Sequence, residues 1–209
     1  RHFWHVVQPN LSKTPGIGSL HLHLILNEFI DAVDEIPDLE LYTSCEAYGN
    51  QAEYIRDGLD VKQWEDTVRR VSTKFHVPIR VMVTFGLLSV FNFKTFVEKI
   101  IELRADGVDI MFNCARLTDP KQFDLRLLAD QNDSYFQTVN EFVMNNDKIT
   151  SVEHETWQMV FDYWQSRNST MDDAHRALWR DQFVKFTSEY DQRRGKNFTA
   201  TFPEFISWI

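Results

Sequence analysis

The sequence predicts an α/β fold in which parallel strands alternate with helices, followed by a segment that is helical throughout. Short apolar runs at residues 39–43, 79–84 and 108–112 are separated by longer segments whose apolar residues recur at helical spacing. Alternation of this kind is typical of parallel strands joined by right-handed helical crossovers. In the last third of the chain the strand signals stop. We therefore predict about four βα units in residues 1–130 and a helical C-terminal extension, residues 131–209, packed on them.

Each element is predicted from its own local pattern of apolar residues and breakers. Val61, Trp64, Val68 and Val71 share one helical face, for example, and Pro78 follows them. The predicted order is a strand at 3–7, a loop at 8–19, a helix at 20–33, a strand at 39–43, a helix at 61–75, a strand at 79–84, a helix at 91–104, a strand at 108–112, and helices at 136–144, 152–166 and 171–193.

Composition limits the classes of function. The 209 residues are 43% hydrophobic and carry a net charge of −9, which disfavours binding to nucleic acid by neutralisation of phosphates. Two cysteines without a spacing pattern indicate a reducing compartment. The sequence contains no apolar run of the roughly 20 residues that a membrane helix needs, and no signal peptide is visible. We expect a cytoplasmic protein that does not contact membranes.

The most informative segment is residues 41–60, LYTSCEAYGNQAEYIRDGLD, where an apolar strand ends in small and polar residues and a helix begins. In α/β folds the carboxyl ends of the strands converge on one ligand crevice. Ser44 and Glu46 alternate, so we expect both on the same side of the strand end. Arg56 is expected on the following helix, where its guanidinium can pair with the carboxylate of an amino-acid-like ligand.

These residues also have purely structural interpretations. Ser44 is a suitable cap for the next helix, and Arg56 can form a surface ion pair with a neighbouring carboxylate such as Asp57. Thr84 and Asn113 end the next two predicted strands, where such residues often cap helices.

The segment 42–60 resembles radical S-adenosylmethionine (radical SAM) enzymes, in particular a phage and marine-microbial group with the pattern YTS-x-E-x-x-G-x-x-AEYIRDGLD. The resemblance continues through residues 81–89, VMVTFGLLS, and 112–123, FNCARLTDPKQF, and includes residues 189–198 and 201–204 near the C-terminus. It covers most of residues 40–209.

The resemblance implies a binding site for S-adenosylmethionine. In similar enzymes a serine at the end of the fourth strand and an arginine twelve positions later contact the methionyl carboxylate, which assigns that role to Ser44 and Arg56. Glu46 is then a partner for the ribose or the amine. Thr84 and Asn113 would lie near the ribose and the adenine.

One defining motif of the family has no counterpart here. Three cysteines at C-x3-C-x2-C bind a [4Fe-4S] cluster in these enzymes, whereas this chain has only Cys45 and Cys114, 69 positions apart. We therefore expect the chain to be the C-terminal part of a partial (β/α)6 TIM-like barrel whose first two units, with the cluster ligands, are missing. The full-length protein is expected to be an enzyme acting on an unknown substrate, and the isolated chain is not expected to catalyse a reaction.

Several alternatives stay open. The chain could be a non-catalytic barrel relative that binds a nucleotide-like ligand, or a subunit that completes its barrel with a partner chain. Self-association through the sheet edge at residues 3–7 is expected. His21 and His23 suggest a metal site, but we expect them to diverge at the start of a helix, so we predict none. Residues 191–196, DQRRGK, form either a phosphate or partner patch or, as we expect, a solvated helix end stopped by Gly195.

Overall fold

The computed structural model of the chain describes residues 3–5, 39–128 and 132–208, with the backbone alone for 3–5 and for 207–208. The predicted loop at 8–19, the predicted helix at 20–33 and the His21–His23 pair lie outside the described residues. So does the second half of the strand predicted at 3–7.

The described strands form one parallel sheet in the order β1-β2-β3-β4. The strands are β1 (Phe3–His5), β2 (Glu40–Ser44), β3 (Ile79–Phe85) and β4 (Ile110–Arg116). Neighbours in the chain are neighbours in the sheet throughout, so the order contains no reversal. The predicted parallel α/β architecture is confirmed, and the described sheet is small and open.

Helices connect and cover these strands. They are α1 (Asn50–Ile55), α2 (Val61–Phe75), α3 (Phe93–Ala105), α4 (Asp133–Met144), α5 (Ser151–Gln165), α6 (Arg167–Thr170), α7 (Asp173–Arg194) and α8 (Phe198–Thr201). Short 3-10 turns occur at Leu87–Ser89, Lys121–Phe123, Leu125–Leu127 and Pro203–Trp208.

Most predicted boundaries lie within a few residues of the observed ones, and the helix predicted at 61–75 is identical to α2. The last predicted strand, 108–112, begins two residues later, at Ile110, and continues to Arg116. Val108 is excluded from it because its backbone N–H donates to the carbonyl of Leu103 at 3.0 Å, which closes the C-terminal end of α3.

The two faces of the sheet differ in polarity. Ile79, Val81, Val83 and Phe85 of β3 are buried on one face, where helices cover them, whereas Thr84 on the other face is exposed. An aromatic cluster fills the core on the covered face. Its members are Phe85, Phe93, Phe96, Phe112, Phe136, Trp157 and Trp164.

Helix α5 closes the outer edge of β4 with polar side chains. The backbone N–H of Phe112 donates to the Glu153 carboxylate at 2.8 Å, and that of Cys114 donates to Thr156 Oγ1 at 3.2 Å. Glu153 is completely buried and also pairs with Arg104. Because these two backbone N–H groups are occupied, an additional strand could form few hydrogen bonds with the edge of β4.

Candidate ligand-binding cleft

A cleft of about 380 Å³ opens at the carboxyl ends of β2, β3 and β4. Parallel α/β proteins bind ligands at this end of the sheet, and the volume falls within the range of small-molecule sites. Three segments after the strand ends contribute to it, together with α7. The lining comprises Glu46, Tyr54, Ile55, Arg56, Thr84, Gly86, Leu87, Leu88, Ser89, Leu117, Phe123, Phe186 and Tyr190.

Glu46 and Arg56 form a two-point ion pair on one side of the cleft. Arg56 Nε donates to Glu46 Oε2 at 2.6 Å, and Nη2 donates to Oε1. The Glu46 side chain is only 6% exposed, whereas that of Arg56 is 36% exposed. Within the described part of the chain, Nη1 of Arg56 donates to no protein acceptor. The guanidinium is therefore held along one edge, in a side chain that lines the cleft and stays partly exposed.

Burial and pairing act in opposite directions on this arginine. Burial lowers the pKa of Arg56, but the hydrogen bonds and the negative charge of Glu46 outweigh it, so the pKa lies above its ordinary value. Arg56 is consequently a permanent cation in the cleft.

The chain between β2 and α1 is short and tightly held, which fixes Glu46. Gly49 begins α1 with a φ of 66°, a conformation that favours glycine. The backbone N–H of Tyr48 donates to Asn92 Oδ1 at 2.6 Å, which ties this turn to the start of α3. Helix α1 ends after six residues, so Arg56 leaves it in an extended conformation.

Gly86 allows the segment after β4 to approach the end of β3. A Cβ atom at this position would lie 2.7 Å from Leu117 Cδ2 and 3.0 Å from the carbonyl oxygen of Phe123. Any larger residue would therefore push the segment containing Leu117 and Phe123 outwards and reshape the floor of the cleft.

Aromatic side chains from the C-terminal part form the opposite wall. Phe186 and Tyr190 lie one turn apart on α7 with their rings stacked, and the ring of Phe123 meets Phe186 edge-on at 5.0 Å. Phe186 is 41% exposed, which is high for a phenylalanine with two aromatic neighbours.

The predicted site residues are partly brought together. Glu46, Arg56 and Thr84 line the cleft. Ser44 and Asn113 are outside its lining, but both pair with Met82 and so form one row across the polar face of the sheet. Thr84 is the next residue of β3 on that face, roughly 7 Å further along the strand.

Two expected local details are wrong. β2 ends at Ser44, so the alternation does not extend to Glu46, which is buried while Ser44 is half-exposed. Arg56 follows α1 rather than lying on it. Of the structural alternatives, Ser44 does not cap α1, which Gly49 begins, whereas Arg56 does form an ion pair, although with the buried Glu46 rather than with Asp57.

The expectation of a solvated helix end at 191–196 is also wrong in part. Gly195 does end α7 in the left-handed conformation. However, Asp191 accepts hydrogen bonds from Tyr54 and Phe198, and Lys196 contacts α1. The aromatic wall was missed at the sequence level as well, and the spacing of Phe186 and Tyr190 was the only signal for it.

The described residues contain no group of three or more His, Cys, Asp or Glu side chains that could hold a metal ion. Both cysteines are buried and unpaired with each other. Burial, followed by the nearby charge of Glu46, raises the pKa of Cys45 to about 12, and burial raises that of Cys114 well above its ordinary value. Neither is a ready thiolate ligand at neutral pH.

No protein-family model matches this chain, and the searches found no matching curated protein and no matching solved structure. In the described parts of the chain, no helix is both long and apolar enough to cross a membrane.

Proposed function

We propose that the cleft binds S-adenosylmethionine through its methionyl group, as the cofactor-holding part of a radical SAM enzyme. The observation that carries the proposal is the Arg56 guanidinium, which Glu46 holds along one edge in a side chain that lines the cleft and is partly exposed. A carboxylate can accept hydrogen bonds from a guanidinium.

The charge of the cleft favours a zwitterion. Glu46 and Arg56 are the charged residues of the lining, and as a pair they are neutral. The methionyl group of S-adenosylmethionine brings one carboxylate for Arg56 and one ammonium for the side of Glu46, so these charges balance, and its sulfonium leaves the bound ligand with one further positive charge. A ligand with several like charges would leave charge uncompensated in a partly desolvated site.

The fold supports the same assignment. A sequential strand order is the order of neighbouring units in a (β/α) barrel, and a site at the strand carboxyl ends is the rule for that architecture. Under the proposal the sheet is part of a partial barrel, Thr84 faces the ribose, and Ser44 and Asn113 reach the ligand from the polar face.

The [4Fe-4S] cluster that the resemblance implies does not fit the described residues. Cys45 and Cys114 are buried, and their thiols are stabilised in the protonated form. The proposed role of these residues is therefore to bind and orient the ligand, and we assign them no step in radical chemistry.

A second candidate is a binding module for a nucleoside-like ligand without radical chemistry. The aromatic wall of Phe123, Phe186 and Tyr190 favours it, because aromatic side chains can stack on a base whatever reaction follows. Adenosine and methionine, titrated separately, distinguish the two candidates, because only the first candidate requires the methionyl group to contribute.

Calorimetric titration of S-adenosylmethionine into the wild-type chain and Arg56→Ala tests the proposal. Loss of a charge-assisted interaction of about 1.5–3 kcal/mol should weaken binding by about tenfold or more. Arg193→Ala is the matched control, since Arg193 is an exposed arginine on α7 paired with Glu189. Equal affinity of the wild type and Arg56→Ala, or no binding by the wild type, would contradict the proposal.

A further inference from the structure

The C-terminal end of α7 is fastened to the segment that presents Arg56. We define the latch as Asp191, Arg194 and Lys196, and the presenting segment as residues 53–57. Arg194 Nη1 lies 2.7 Å and Lys196 Nζ 3.1 Å from the two carboxylate oxygens of Asp57, the residue next to Arg56.

Lys196 also completes the end of helix α1. Its ammonium donates to the carbonyl of Glu53 at 2.7 Å and contacts that of Tyr54 at 3.3 Å. The last carbonyls of a helix lack partners within the helix, and a cation near them interacts favourably with the helix dipole. A six-residue helix has little stability of its own, so a cap supplied from another element matters to it.

The aromatic residues of the two segments interlock in the same region. Tyr54 Oη donates to Asp191 at 2.8 Å, and Tyr190 Oη donates to the carbonyl of Tyr54 at 3.0 Å. Asp191 uses its second oxygen to accept from the backbone N–H of Phe198 at 2.6 Å. Tyr190 is also part of the cleft wall. The latch thus connects one wall of the cleft to the residues that flank Arg56.

We infer that Lys196 is a positioning residue for Arg56, acting through the last turn of α1 and Asp57. This inference rests on the proposed function, because the consequence of positioning is recognition of the ligand carboxylate. Arg56 itself lies between Ile55 and Asp57 in an extended conformation, and among the described residues its guanidinium is paired with Glu46 alone. The latch holds the backbone carbonyls of Glu53 and Tyr54 before it and the side chain of Asp57 after it.

The first experiment needs no ligand. Amide hydrogen exchange across residues 53–59 should be at least about threefold faster in Lys196→Met than in the wild type, because the trans cap of α1 is lost. Lys196→Arg keeps a cationic donor and should restore protection. Lys185→Met is the matched control, since Lys185 is an exposed lysine of α7 that pairs with Asp181. Unchanged exchange in Lys196→Met would overturn the inference whatever the ligand is.

The second experiment measures selectivity for the carboxylate. The ratio of the Kd for decarboxylated S-adenosylmethionine to that for S-adenosylmethionine should be about tenfold or more in the wild type and Lys185→Met. It should fall by about fivefold in Lys196→Met and recover in Lys196→Arg. A merely structural loss would weaken both ligands equally and leave the ratio unchanged.

The outcomes separate the two proposals. A wild-type ratio near one would contradict the proposed function, whereas a high ratio that persists in Lys196→Met would overturn the positioning role alone. If Lys196→Met does not fold, Asp57→Asn weakens the ion pairs of the latch with Arg194 and Lys196 and should lower the ratio in the same direction, and an unchanged ratio in Asp57→Asn would overturn the positioning role.

Discussion

At the scale of single residues, the Glu46–Arg56 pair determines the electrostatics of the cleft. Glu46 is almost fully buried, and its carboxylate accepts hydrogen bonds from Nε and Nη2 of Arg56. Removing one member of a buried ion pair leaves the other charge uncompensated, and this usually costs more than the pair contributes. Here the cost is reduced because 36% of the Arg56 side chain is exposed to solvent.

We predict that Glu46→Gln lowers the free energy of unfolding by about 1–3 kcal/mol. The glutamine amide is uncharged and has a single acceptor oxygen, so it cannot replace the carboxylate that accepts both donors of Arg56. Denaturant unfolding measures the change. The double variant Glu46→Gln/Arg56→Gln should recover part of the loss. If the two single changes are strictly additive in the double variant, the pair is not energetically coupled in the folded protein.

Cys45 gives a prediction for the dependence of stability on pH. Its thiol pKa rises from 9.0 to about 12 on folding, because of burial first and of Glu46 second. Above pH 9 the unfolded chain binds fewer protons than the folded one, so stability falls as the pH rises towards 12.

Cys45→Ala should lack this component. Between pH values of about 9.5 and 11.5, the slope of its free energy of unfolding against pH should be shallower than that of the wild type by about 1.4 kcal/mol per pH unit. The measurement is denaturant unfolding of both proteins at several pH values. Parallel curves for the two proteins would mean that the thiol does not titrate differently in the folded state.

The residue types of the site were predictable from the sequence, but their mutual contacts were not. Glu46, Arg56 and Thr84 follow strand ends, and this places them near the cleft in any parallel α/β fold. The pairing of Glu46 with Arg56 depends on the turn at Cys45, whose Sγ donates to the carbonyl of Ala47 at 3.0 Å. Strand periodicity gives no indication of where such a turn begins.

At the scale of elements, the first turn of α5 both caps the helix and binds the edge of β4. Thr150 and Glu153 form a capping box at the start of the helix, and the same Glu153 carboxylate accepts from the edge of β4. Thr156 lies one turn later in the helix, and its Oγ1 accepts a hydrogen bond from the next N–H along the same edge of β4, that of Cys114. Because the two hydrogen bonds are made at two positions of β4, they fix the position of α5 along the strand.

We predict that Thr156→Val lowers the free energy of unfolding by about 1–3 kcal/mol, because the buried N–H of Cys114 loses its acceptor while the side-chain volume is conserved. Thr138→Val, at an exposed position of α4, should change stability by less than about 0.5 kcal/mol. Hydrogen exchange at the amide of Cys114 should accelerate in the first variant only, and equal protection in both would remove the edge role of α5.

Helix α2 was predictable to the residue because its apolar stripe is continuous and Asp60 caps its start. Helix α1 was harder, since six residues hold too few turns for a periodic signal. The 3-10 turns after β3 and β4 have no periodic pattern at all, and they supply much of the cleft floor.

At the scale of the whole molecule, the two edges of the sheet differ. The β4 edge is occupied by α5, whereas β1 pairs with β2 on one side and no described strand pairs with its other side. An unpaired edge is a template for another chain. We predict concentration-dependent self-association at micromolar concentrations in sedimentation velocity. A monomer across that range would mean that another part of the chain covers the edge.

The βα part and the helical extension, although distinct in sequence, are joined by many contacts. The extension contributes Phe186 and Tyr190 of the aromatic wall, the latch on α1 and the closure of β4. The latch joins residues as many as 143 positions apart, Glu53 and Lys196, and Gln51 contacts Thr201 at a separation of 150 positions. Local patterns in a single sequence carry no information on contacts of that separation.

We propose that Arg56 receives the carboxylate of S-adenosylmethionine, and arginine side-chain NMR tests this role most directly. In protein labelled with ¹⁵N-arginine, the Arg56 signals are assigned by their absence from Arg56→Lys. We predict that saturating S-adenosylmethionine shifts the Arg56 Nε–H and Nη–H signals more than those of any other arginine, and that the decarboxylated analogue shifts them less. Unchanged Arg56 signals in protein saturated with S-adenosylmethionine would contradict the account.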